Sequence, residues 1–228
     1  MDPRVEPEGD TEGRLVTVTL IGPAYSVYVR AARIVLHEKG VAYDHESFDV
    51  FDDSDIPAGY LERHPFKRVP AFEHDGFRLY ETGAITRYVD EAFPGPRLQP
   101  GTPRERARMN QVISILDAYA YWPLVRVIFV QRGSARQEVE PDEAAIADAL
   151  EKAETCLGAL SRLIDEDEFL AGEDFTLADA HAVPIFDYFQ RTEEGGGLMS
   201  RQTALAGWWS RVETRASVVE TPFSGTDS

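Results

Sequence analysis

Residues 64–85 read HPFKRVPAFEHDGFRLYETGAI, and the pattern inside them sets the fold. Val69–Glu73 and Phe77–Tyr80 are short runs with strand character. His74-Asp75-Gly76 between them supplies an Asp-Gly pair, which tolerates the positive φ angles of a tight hairpin turn. From Ala84 the period lengthens to that of a helix, with Ile85, Tyr88, Val89 and Ala92 facing inward as far as Phe93. Upstream, Leu15–Ile21 (LVTVTLI) is β-branched and alternating, so it predicts a strand. Gly22-Pro23 ends that strand. A helix follows over Val27–Lys39, with Tyr28, Ala31, Val35 and Leu36 on one face and Gly40 as its stop. Val41–Val50 suits a second strand, and the acidic Asp52–Asp55 a loop or short helix start. The order is β-α-β, a loop, then β-β-α.

Downstream of Pro94-Gly95-Pro96 everything reads as helix. The proline and glycine cluster through Pro100-Gly101 predicts a linker at residues 95–102, between a first domain at 15–94 and an all-helical domain at 103–220. Thr102-Pro103-Arg104-Glu105 forms a capping box with proline at the first helical position. The long helix behind it is expected to bend at Pro123. Pro141 opens another helix, running to about Ile164. Phe175-Thr176-Leu177-Ala178-Asp179 holds a second capping box. The last helix carries Trp208, Trp209 and Val212. Gly195-Gly196-Gly197 lacks the strand–helix context of a phosphate loop and reads as a flexible connection. Residues 1–14 and 221–228 read as tails.

Of the 228 residues, 43% are hydrophobic, 28% are charged and the net charge is −17. That charge repels phosphate backbones and anionic membranes, so nucleic-acid binding is not expected. The sequence offers no apolar run near the roughly 20 residues of a membrane span. The single cysteine, Cys156, precludes an internal disulfide and suits a reducing cytoplasm. It lies with Leu160 and Leu163 on an apolar helix side, as core. His37, His45 and His74 lack metal-ligand spacing, so no metal is expected.

Three segments together resemble the cytosolic glutathione S-transferase family, closest to its serine-type phi and theta members. They are Gly22-Pro23-Ala24-Tyr25-Ser26-Val27-Tyr28-Val29-Arg30, the 64–85 stretch, and residues 169–179 (FLAGEDFTLAD) with the later Trp208-Trp209. The resemblance implies a thioredoxin-like glutathione-binding domain (α/β) followed by the family's all-α bundle. It implies glutathione as co-substrate, conjugation or peroxidase chemistry on a hydrophobic electrophile, a detoxification role and a homodimer with the two helices after the linker in its interface. A non-catalytic ligand-binding or protein-interaction module of the same fold is the alternative.

By that resemblance, Ser26 donates a hydrogen bond to the glutathione sulfur. A free thiol titrates near roughly 8.5, so a hydroxyl donor and a helix N-terminus both favour the thiolate. By spacing alone Ser26 is a helix N-cap, and both roles are compatible. Tyr25 is the rival sulfur ligand or a wall of the electrophile pocket. The absence of cysteine at 25 and 26 disfavours thiol-exchange chemistry. Val69-Pro70 matches the family's cis pair that presents backbone to the cysteinyl part. Glu81-Thr82 matches the pair that takes the γ-glutamyl end. One departure stands out: Ser54 and Asp55 fall where phi members carry a basic pair for the glycine carboxylate, and Lys67 and Arg68 are the available substitutes. His64 stands at the family's Asn position and reads as structural, as does Asp179. Tyr25, Tyr121, Trp122, Val125 and Phe129 are the pocket candidates between domains, although an aromatic stripe at helical spacing also suits a core.

Overall fold

The computed structural model describes residues 17–133, 140–164 and 167–224. Four short strands form one sheet in the order β2-β1-β3-β4: β1 (Val18–Ile21), β2 (Asp44–Glu46), β3 (Ala71–His74) and β4 (Phe77–Tyr80). β1 and β2 are parallel, so a crossover must join them. The helix α1 (Val27–Glu38) supplies it. The other pairings are antiparallel, with Leu20 opposite Phe72 and Phe72 opposite Leu79. The β3–β4 turn takes Asp75 at φ 50° and Gly76 at φ 85°, the two positive angles that the Asp-Gly pair was expected to accept. Gly40 (φ 64°) ends α1. The Val41 N–H reaches the Leu36 carbonyl at 2.9 Å and the Gly40 N–H reaches that of His37 at 3.0 Å, a Schellman closure.

One sheet face, with Leu20 and Phe72, packs on α1 and on α3 (Thr82–Ala92). The other carries Ile21 and Ala71 against Phe48 and Tyr60, the latter on the short α2 (Tyr60–Arg63). The second strand is shorter than Val41–Val50. Only Asp44–Glu46 pairs, because β2 is an edge with β1 as its one neighbour. Residues 15 and 16 of the first predicted strand lie outside the described residues, as does the 1–14 tail.

Thr102 caps α4 (Pro103–Gly133) through the expected reciprocal bonds with Glu105. Around Pro123, which has no N–H to give, the helix widens into π turns over Leu116–Ala120 and Trp122–Phe129. At 31 residues, α4 is long and apolar enough by composition to cross a membrane, contrary to the sequence reading. Its apolar side, including Val112, Leu116, Leu124 and Ile128, is spent on the core instead. The next helix, α5 (Glu143–Ile164), starts two residues after Pro141, with the Asp142 carboxylate accepting from the N–H groups of Ala144 and Ala145.

Helix α6 (Leu177–Gln190) is buried along nearly its whole length. Asp179, fully buried, accepts hydrogen bonds from the Leu170 and Thr176 N–H groups, the Thr176 hydroxyl and Trp208 Nε1 of α8 (Thr203–Val212). The triple glycine is not a loose connection but part of α7 (Glu193–Ser200). A Cβ on Gly195 would stand 1.9 Å from the Phe189 carbonyl oxygen, so only glycine lets α6 and α7 meet there. After α9 (Ala216–Val219) the chain stays on the fold rather than leaving as a tail at 221. Thr221 is fully buried, and its carbonyl accepts from Arg30 Nε of α1 at 2.5 Å. The core is continuous across sheet and bundle because α1 packs on α6. Cys156 lies in it, and burial pushes its thiol up to about 12.

Candidate active site

Ser26 is the N-cap of α1: its extended backbone (φ −70°, ψ 126°) turns the hydroxyl back toward the helix, where it accepts from the Val29 N–H at 3.4 Å. That leaves the O–H proton available to donate outward. Ser26 is half-buried, within one turn of Tyr28, which meets Tyr121 and Asp117 of α4. Tyr25 is held differently. Its hydroxyl donates to Asp49 Oδ1 at 2.9 Å and its ring lies parallel to Phe51, 11° apart, at 6.3 Å. Its carbonyl accepts from the Tyr188 hydroxyl of α6. The phenol is committed to the Asp49 loop.

Glu81 sits at φ 72° and is exposed, ahead of the buried Thr82. The N-cap residue Glu81 makes no side-chain cap bond to α3, so among the described residues the helix's first-turn N–H groups have no side-chain acceptor. An uncapped helix N-terminus beside a hydroxyl and a carboxylate fits an amino-acid head group: anion to the N–H groups, ammonium to Glu81. Glu81 and Thr82 follow β4 and Ser26 follows β1, two strands whose C-terminal ends lie at the same end of the sheet. The Val69–Pro70 peptide is cis. His64 is buried against Tyr60 and Tyr80, and its Nδ1 has no partner among the described residues. Burial lowers its affinity for a proton.

The glycine end has its own geometry. Lys67 takes a left-handed backbone (φ 51°) and its Nζ pairs with Asp53. Asp55 turns away from the cleft: its carboxylate accepts from the Asp49 N–H at 2.5 Å. Ser54 donates to Asp52 through both N–H and hydroxyl. Arg68 remains exposed.

Of the pocket candidates, Tyr25 precedes Ser26 in the chain and Tyr121 lies on α4. The Tyr121 ring meets Tyr28 at 4.8 Å, and burial raises its hydroxyl pKa. Val125 is only 4% exposed and belongs to the core. Phe129 packs on Tyr188 at 4.7 Å and on Phe223. Trp122 is 65% exposed, on the outside of α4. The widened turns of the helix rotate this stripe away from a single face.

Asp117 and His181, which spacing did not single out, meet at Tyr28 between α1, α4 and α6. The Tyr28 hydroxyl donates to Asp117 Oδ1 at 3.2 Å, and His181 Nε2 meets the same oxygen at 2.8 Å. Burial and the neighbouring Asp117 charge push the Tyr28 hydroxyl well above its ordinary range. Burial would raise Asp117, but the bonds from His181 and Tyr28 outweigh it and hold the carboxyl below its usual range. A lone carboxylate in the apolar run Ile115-Leu116-Asp117-Ala118 was the one available signal.

Two family models match this chain: the glutathione S-transferase N-terminal domain over residues 20–97 and the C-terminal domain over residues 108–216. The chain belongs to the glutathione S-transferase family. It is similar to glutathione S-transferase F10 of Arabidopsis thaliana, 26% identical over 205 residues that cover 89% of this chain and 94% of the relative. It is also similar to F14 of the same plant, 28% identical over 84% of this chain and 77% of that one. Among solved structures, glutathione transferase F2 from Populus trichocarpa superposes with a TM-score of 0.81 at 28% identity, covering 90% of this chain and 96% of its own. These are phi-class transferases, as the resemblance implied. The thioredoxin-like domain with a helical glutathione S-transferase bundle is therefore the fold of this chain.

Proposed function

We propose that this glutathione S-transferase binds glutathione along the β3–α3 edge and activates its thiol at Ser26 for attack on an electrophile in the interdomain cleft. The observation that carries the reading is the Ser26 cap: its oxygen accepts from the Val29 N–H, so its proton is free to stabilise a sulfur anion at the helix N-terminus. In this reading Glu81, Thr82 and the uncapped α3 amides hold the γ-glutamyl end. Val69 backbone pairs with the cysteinyl part, and Lys67 and Arg68 serve the glycine carboxylate. The thiolate sulfur then forms a bond to the electrophilic carbon while that carbon's leaving group departs with the electron pair. The thiol proton is released to solvent. Tyr25 is a wall, since its hydroxyl is engaged by Asp49. The protein acts in the cytoplasm as a homodimer.

The test is a calorimetric titration with reduced glutathione, followed by the ultraviolet difference spectrum of bound thiolate, in wild type and Ser26→Ala. The reading expects binding with a thiolate signal at neutral pH, and turnover at least about tenfold lower in the variant, the scale of one positioned donor. Ser26→Thr, which keeps cap and hydroxyl, should retain most of the signal. The pairing of Lys67 with Asp53 favours the second reading, a ligand-binding module with weak glutathione affinity. Binding without thiolate would select it.

A further inference from the structure

We infer that Arg126 makes the electrophile side of the cleft selective for aromatic electrophiles that carry a carboxylate. The inference rests on the proposed transferase reaction and names its substrate class. The chain has 40 acidic residues against 23 lysines and arginines, and several arginines are tied to carboxylates, as in Arg30–Asp187, Arg132–Glu143 and Arg215–Glu38. Arg126 is not: among the described residues no carboxylate lies within ion-pair distance of it. It is half-buried on the widened part of α4. Its guanidinium carbon stands 5.9 Å from the centre of the Phe51 ring, and it lies beside the Tyr121 hydroxyl. Phe51 is itself parallel to Tyr25 at 6.3 Å, and Tyr121 touches Tyr28 at 4.8 Å. Ser26 lies between Tyr25 and Tyr28 in the chain.

A cation without a counterion among the described residues thus stands beside Phe51 and Tyr121, the rings that meet Tyr25 and Tyr28 on either side of Ser26 in the chain. The carboxylates that these tyrosines reach carry donors: Asp49 the Tyr25 hydroxyl, Asp117 those of Tyr28 and His181. Arg68 is left to the tripeptide. A half-buried guanidinium gains most from an acceptor that takes two of its N–H groups, which is what a carboxylate offers. In a protein of net charge −17, such a group is the local feature that lets an anionic electrophile approach.

The experiment compares 4-chloro-3,5-dinitrobenzoate with its uncharged carboxamide. In each, sulfur bonds to the ring carbon, chloride leaves with the bonding electrons, and the thiol proton passes to buffer. Each kcat/KM is divided by the uncatalysed rate constant, so intrinsic reactivity cancels. The expected ratio favours the benzoate by tenfold or more, Arg126→Gln brings it close to one, and Arg126→Lys falls between. A wild-type ratio near one, or a ratio that Arg126→Gln leaves in place, overturns the inference while leaving the transferase reading intact. If neither compound is turned over, the transferase reading fails. The inference is then decided by calorimetry with the two S-aryl glutathione conjugates. Tenfold tighter binding of the carboxylated conjugate, lost in Arg126→Gln, supports it, and equal binding overturns it.

Discussion

At the scale of single residues, Lys67 shows how a side chain can be present and yet spoken for. Its left-handed backbone directs Nζ to Asp53, which is 85% exposed at its side chain. An exposed pair of this kind is worth little in stability, but it competes with any incoming carboxylate. Asp53→Asn should therefore tighten glutathione binding a few-fold by calorimetry, and the gain should vanish in the Lys67→Met background. An unchanged Kd in Asp53→Asn would show that Lys67 does not reach the tripeptide. Asp55, the residue the sequence reading suspected, holds the Asp49 N–H instead. Its replacement acts through the Tyr25 loop rather than through direct repulsion.

Asp117 offers a pH test at the same scale. Its folded carboxyl is held below its ordinary value, so its contribution to stability is full above the unfolded aspartate range, about 4, and is lost as pH falls through the lower folded value. Urea midpoints taken from about pH 5 down to 3 should fall less steeply in Asp117→Asn than in wild type. Parallel slopes would mean that the His181 and Tyr28 bonds do not favour the charged form. Ser26 was legible as a helix cap because short-range chemistry dictates that position, whereas the cis Val69–Pro70 bond was expected from the family resemblance alone. Tyr28–Asp117 spans 89 positions and His181–Asp117 spans 64. No local signal encodes such a meeting, which depends on α1, α4 and α6 packing at one point.

Elements divide along the same line. The β3–β4 hairpin and both capping boxes were readable because their residue types satisfy local backbone demands. Helix α7 was not, because glycine disfavours helix by about 1 kcal/mol each and three in a row mimic a linker. Its reason is tertiary: α6 turns into α7 so tightly that the Phe189 carbonyl occupies the place of a Gly195 side chain. Thr192 then caps α7 by accepting from the Gly195 N–H at 3.0 Å. Gly195→Ala should thus destabilise by about 2 kcal/mol or more through overpacking against rigid backbone, read from the urea midpoint. Gly197→Ala, where a Cβ meets nothing within 4 Å, should stabilise slightly through helix propensity. If both variants behaved alike, the close approach at Gly195 would be refuted.

For the whole molecule, the proposed dimer sets apolar attraction against charge. Phe66, Phe77 and Tyr80 are exposed on the first domain, and Tyr119 and Trp122 on α4. Exposed aromatics in such number suit a covered surface rather than a solvated one, and a second copy of the chain is the partner proposed. Each copy carries −17, so association must overcome repulsion that apolar contact does not relieve. Salt screens that repulsion with a Debye length of about 10 Å at 0.1 M, while burial of apolar area is little affected. Sedimentation should therefore give about twice the 25.5 kDa chain mass, with a dissociation constant that falls as salt rises from roughly 0.02 to 0.2 M. The opposite trend would mean that the interface is held by ion pairs. Phe66→Glu should shift the population to monomer while leaving the far-ultraviolet dichroism unchanged, since Phe66 is 67% exposed in the single chain. A Phe66→Glu protein that sediments as wild type would move the interface away from this face.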